Sequence, residues 1–87
     1  MARVVLPDSL ARLFGGAPRR LEVTAGSVDE ALRELDARWP GMRDRLVDGR
    51  PAIRQHIILF VNGERATLDT PLAPNDELYV MPALSGG

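Results

Sequence analysis

Cysteine is missing from all 87 residues. Disulfides, thiolate nucleophiles and cysteine-based zinc centres are excluded together. Histidine occurs once, as His56. A metal centre needs several ligands, and the neighbouring sequence supplies none, so His56 reads as a polar residue at a strand end and no metal site is expected. Lysine is missing as well, since all eleven basic residues are arginine. The plain reading of that bias is codon usage in a GC-rich genome. Its chemical consequence is that an activated carboxyl group on this chain would meet no side-chain amine of its own. No apolar stretch approaches the roughly 18 residues that span a bilayer, and the first residues lack the basic head and long apolar core of a secretory signal. A soluble, cytoplasmic protein with no membrane partner is expected. The formal net charge of −1 argues against nucleic-acid binding driven by counterion release. No convergent pair of carboxylates stands ready for acid–base chemistry, so no catalytic residue is assigned.

What is present fits one small domain. A chain of this length buries only about 60–65% of the surface its unfolded form exposes. Arg3, Val4, Val5 and Leu6 form a short β-branched run stopped by Pro7, which removes a donor and biases Leu6 away from helix. Asp8 or Ser9 is placed to cap a brief helical turn with Leu10, Leu13 and Phe14 on one face, ended by Gly15 and Gly16. Residues 20–24 alternate, pointing Leu21 and Val23 inward, and this strand pairs with the first as a hairpin.

The clearest helix follows. Ser27 and Glu30 form a capping box, the Ser27 hydroxyl accepting from the Glu30 amide and the Glu30 carboxylate from the Ser27 amide. Val28, Ala31, Leu32, Leu35 and Trp39 then recur at helical spacing as one apolar stripe, and Pro40 with Gly41 closes the helix. Residues 41–54 read as a long solvated crossover with mixed charge, in which Met42, Leu46 and Val47 mark a further short helical piece.

Ile57, Ile58, Leu59, Phe60 and Val61 are apolar at five successive positions, which suits a strand covered on both faces or one whose second face awaits a partner. Asn62 and Gly63 signal a tight hairpin into a weak strand at 64–66. Pro74, Asn75 and Asp76 make a turn, with Asn75 suited to a left-handed backbone, and residues 77–81 form the last strand. Entering the sheet centre parallel to the first strand, it completes an α+β architecture, the β-grasp or ubiquitin-like fold: a mixed sheet of four to five strands with one main helix on one face.

The closing residues Pro82, Ala83, Leu84, Ser85, Gly86 and Gly87 are expected to form a flexible tail, residues 82–87, appended to a domain of residues 1–81. Glycine loses the most backbone entropy on ordering, so a terminal pair suits a free end. Extended, six residues reach roughly 20 Å, and a strand without Cβ atoms passes through a slot that other residues would block. The carboxylate of Gly87 is then the reagent, with Gly86, Ser85 and Leu84 giving access to it. If Ile57, Leu59 and Val61 face the helix, strand alternation turns Ile58 and Phe60 the other way. Tyr79 and Met81 join them as a docking patch, unless the crossover covers these side chains. Asp76 and Glu77 either meet basic residues of a partner or serve the turn.

Together these residues resemble the ThiS/MoaD family of ubiquitin-like sulfur carriers. The matching features are the capped helix from Ser27 to Trp39, the hairpin Phe60, Val61, Asn62, Gly63, Glu64, the turn through Pro71, Leu72, Asn75, Asp76, Glu77 and Leu78, and the ending from Val80 to Gly87. Asn75 stands where many relatives carry glycine, and Ala83 where molybdopterin-type carriers often have a second proline. The ending, Leu6 with Pro7, and Gly15 with Gly16 look closer to carriers that feed cysteine synthesis. The resemblance implies a protein that is a co-substrate and not an enzyme. A separate ubiquitin-activating-type adenylyltransferase, using ATP and magnesium, adenylylates Gly87. A sulfur donor then leaves a thiocarboxylate there, which a sulfur-accepting biosynthetic enzyme consumes for cysteine, molybdopterin, thiamine or tRNA thiolation. No bound cofactor is implied, and the free protein is expected to be a monomer. Two further functions share the same features: a protein modifier conjugated through Gly87 to lysines, and a non-covalent β-grasp interaction module.

Overall fold

A computed structural model describes residues 1–50 and 52–82. Helix α2, Val28–Arg38, carries the expected stripe. Val28, Ala31, Leu32 and Leu35 are fully buried. Ser27 Oγ accepts from the Glu30 amide at 3.2 Å. The second half of the capping box is displaced by one residue, because the Glu30 carboxylate accepts from the Gly26 amide at 3.3 Å and not from that of Ser27. A loop far along the chain, residues 66–72, is responsible. It forms an antiparallel bridge between Ser27 and Pro71, and its Thr70 and Leu68 carbonyls accept the Val28 and Asp29 amides at 3.0 Å. The helix's first donors are thus satisfied from outside it. The helix ends one residue before Trp39, whose amide still reaches the Leu35 carbonyl at 2.8 Å.

Among the described residues the strands are β1 Ala2–Val5, β2 Arg20–Val23, β3 Ile57–Val61, β4 Glu64–Arg65 and β5 Glu77–Pro82, ordered β2-β1-β5-β3-β4. β1 and β2 form the anticipated antiparallel pair, and β5 enters the centre, parallel to β1 and antiparallel to β3. Val4, Val23, Leu59, Leu78 and Val80 face the helical layer and are buried. β5 continues one residue past the expected end, placing Pro82 opposite Ile57. At the β3–β4 turn Asn62 has φ 51° and Gly63 φ 85°, the two positive values that a tight right-twisted hairpin requires. Asn75 takes φ 74°, as its position in the turn predicts.

Two expectations are corrected. Helix α1, Asp8–Leu13, is preceded by Pro7 as N-cap with no side-chain cap, so neither Asp8 nor Ser9 fills that role. Its buried residues are Leu10 and Ala11, while Leu13 is 59% exposed. At about 100° per residue the face centred between Leu10 and Ala11 includes Phe14 and leaves Leu13 well to one side. The crossover is also more than solvated chain. Helix α3, Met42–Leu46, buries Met42 and Leu46, with Val47 beside them, in the same core as α2. Asp36 Oδ1 accepts from the Gly41 and Arg43 amides at 3.1 Å, and Arg43 ties α3 to Asp29 of α2 at 2.7 Å.

Candidate partner-docking face

All three helices pack into one hydrophobic core on one side of the sheet. The opposite side carries the four residues singled out as a docking patch. The β3–β5 register sets Phe60 directly opposite Tyr79 and Ile58 directly opposite Met81, and directly opposed residues share a sheet face. Met81 is 45% exposed, and Ile58, Phe60 and Tyr79 are half-buried against one another's strands. The crossover's Met42, Leu46 and Val47 belong to the core, while its end at Ile53, Arg54 and Gln55 borders Ile58 and Arg65 at a shallow cavity.

Sequence reasoning missed three members of this face. Val5 is paired with Tyr79 and extends the apolar row onto β1. Arg20 is paired with Val5, and Arg65 with Phe60, so each closes one end of the row. Alternation along β1 was the available signal: Val4 is buried, so its neighbour Val5 must face outward. The arginines could not be found without the register.

The acids at the start of β5 serve the fold. Asp76 Oδ2 accepts from the Ala73 amide at 2.8 Å and Oδ1 from the Asn62 side-chain amide, also at 2.8 Å. These bonds, the one from Asn62 foremost, hold its carboxyl below the usual carboxylate range. Asn62 Oδ1 in turn accepts from the Glu77 amide at 3.0 Å, locking the β3–β4 hairpin to the turn before β5. The Glu77 carboxylate lies 3.5 Å from Arg3. His56 is exposed, and among the described residues no cluster of three or more His, Asp or Glu side chains could hold a metal. Leu84, Ser85, Gly86 and Gly87 lie outside the described residues. The chain arrives at them from Pro82, immediately beyond Met81 of the patch.

A mixed five-stranded sheet with β5 at its centre and helices on one face is the β-grasp, the ubiquitin-like class of small proteins. Within that class the chain belongs to the ThiS family, whose model matches residues 4–87. It is 33% identical over 79 residues to small archaeal modifier protein 1 of Haloferax volcanii, an alignment covering 90% of this chain and 91% of that protein. A chain in the crystal structure of the Amycolatopsis orientalis BexX/CysO complex superposes with a TM-score of 0.87 at 26% identity, each chain covered completely. Mycobacterium tuberculosis CysO shares the fold, with a TM-score of 0.86 at 21% identity over 97% of this chain and 100% of that one. The protein is therefore one of the small ubiquitin-like modifiers and sulfur carriers.

Proposed function

We propose that this chain is a sulfur carrier whose reagent is the carboxyl group of Gly87. The observation that carries the reading is the extent of the family match, which runs through Gly86 to residue 87. A carboxylate is a poor electrophile. In the proposed sequence a Gly87 carboxylate oxygen attacks the α-phosphorus of ATP on a separate, magnesium-dependent adenylyltransferase. The bond to the β-phosphate breaks, and pyrophosphate leaves. Hydrosulfide, or a persulfide with a reductant, then adds to the acyl carbon and expels AMP, leaving a thiocarboxylate and releasing a proton. The softer sulfur is the nucleophile delivered to an accepting enzyme. The chain supplies no catalytic group. Its body docks through Ile58, Phe60, Tyr79 and Met81, while residues 83–87 enter the partner's active site. The Amycolatopsis CysO relative was crystallised with BexX, which supports recognition of the folded body by a partner.

The test is intact mass spectrometry after incubation with an activating enzyme, ATP, magnesium and sulfide. The expected product gains the mass difference between sulfur and oxygen at its C-terminus. Appending one residue after Gly87, or Gly87→Trp, should abolish sulfur transfer while leaving the circular dichroism spectrum unchanged. An extended protein that still delivers sulfur would refute the reading. One observation favours a second reading, conjugation to lysines: the 33% identical relative is a modifier. Gly87-dependent high-mass ladders in cell extract would select it.

A further inference from the structure

The sheet register assembles one row across all five strands: Arg20, Val5, Tyr79, Phe60, Arg65. Three half-buried apolar residues form its middle, and an exposed arginine stands at each end. At about 4.8 Å per strand step the two arginine positions are roughly 19 Å apart. The neighbouring row is of different character, with Glu22, Arg3 and Glu77 in register, and there Arg3 is neutralised by Glu77 at 3.5 Å. Neither Arg20 nor Arg65 has a carboxylate within 4.0 Å among the described residues, and nor do Arg19 and Arg45, which are not in the row, whereas Arg3, Arg12, Arg33, Arg38, Arg43, Arg50 and Arg54 all do.

We infer that Arg20 and Arg65 form a bracket that reads the charge of the docking partner. The occupant is the adenylyltransferase that activates Gly87, presenting an apolar strip flanked on both sides by carboxylates with matching separation. This inference rests on the functional reading above. An enzyme acting on a tail of Ala, Leu, Ser and two glycines learns almost nothing from the tail itself, so discrimination between this carrier and other small β-grasp proteins must come from the body near the tail's root. Apolar contact at Tyr79 and Phe60 supplies area without selectivity. Two cations at fixed separation supply register and reject a partner carrying bases at either position. Ion pairs at the rim of an interface act chiefly on encounter rate and salt dependence, and these are the quantities to read.

The experiment uses the full-length carrier and the purified ubiquitin-activating-type adenylyltransferase of the source organism. Gly87 adenylylation is followed by pyrophosphate release, with carrier concentration varied at low and high sodium chloride. Arg20→Glu and Arg65→Glu should each raise KM about threefold at low salt and together about tenfold, with kcat unchanged. Arg20→Gln and Arg65→Gln should fall between, and the penalty should shrink at high salt. Unchanged melting curves show that the variants fold. If wild type is adenylylated and Phe60→Ser raises KM while the double reversal leaves it within twofold, the bracket is overturned and the functional reading stands. If wild type is not adenylylated at all, the functional reading fails, and the bracket, as assigned to this enzyme, fails with it.

Discussion

Asn62 does two jobs that no other residue type combines. Its backbone holds φ 51°, a left-handed conformation that asparagine tolerates better than residues with larger or branched side chains. Its side-chain amide bonds Asp76 at 2.8 Å while its side-chain oxygen accepts from Glu77 N at 3.0 Å. Asn62→Ala should therefore cost about 1–2 kcal/mol in urea unfolding, and Asn62→Gly less, since glycine relieves the backbone component. Asp48 makes a pH prediction. Hydrogen bonds from the Arg50 side chain, then from its backbone N–H, lower the Asp48 pKa to about 2. The folded value lies below the unfolded one of about 3.9, so the unfolded chain takes up the proton first as pH falls. The stabilisation is complete above about pH 5 and is lost as pH drops through the folded value. Asp48→Asn should melt below wild type at pH 7, with the gap closing toward pH 2. A constant gap across that range would contradict the assignment.

The two faces of β3 carry different duties, and substitution should separate them. Leu35 of α2 and Leu59 of β3 are buried, Leu35 fully, and Leu35→Ala should cost about 2–5 kcal/mol of stability through the cavity it leaves. Phe60, on the opposite face, is half-buried. Phe60→Ser should cost less than about 2 kcal/mol, yet should weaken binding to the activating enzyme. The pair of measurements is a urea titration and an affinity determination; a Phe60→Ser protein that binds as tightly as wild type would remove the patch from the docking role. Most of this division was readable in advance, because α2 announced its stripe by periodicity and β3 its two faces by alternation. The expected entry of β5 into the sheet centre, parallel to β1, is what the structure has. What escaped reading depended on partners distant in sequence. The Gly26 amide replaced that of Ser27 as donor to Glu30 because a loop forty residues later bridges Ser27 and binds the helix's first amides. Leu13 turned outward because the buried face of α1 is centred between Leu10 and Ala11. Arg20 and Arg65 became row ends only through strand register. The Gly87 site, in contrast, is read from the sequence and the family match, since residues 83–87 lie outside the described structure.

Across the whole molecule one chemical consequence follows from having eleven arginines and no lysine. Acyl adenylates are attacked by neutral amines. Guanidinium, protonated at any physiological pH, does not supply one. A second copy of this protein therefore offers an activated Gly87 no side-chain amine, and its lack of cysteine removes the thioester route as well. A carrier benefits because its adenylate waits for sulfide without being consumed by neighbouring carriers. A modifier of this sequence would be limited to single attachments on the lysines of other proteins, never chains built through its own side chains. Incubation with activating enzyme and ATP, without sulfide, should leave the protein at monomer mass. Arg45 is exposed, and among the described residues no carboxylate lies within 4.0 Å of it. Arg45→Lys should introduce the missing acceptor and give a linked dimer that disappears when Gly87 is deleted. Wild-type dimers formed as readily as those of Arg45→Lys would show that some other group on the chain accepts the acyl carbon, and that the absence of lysine protects nothing.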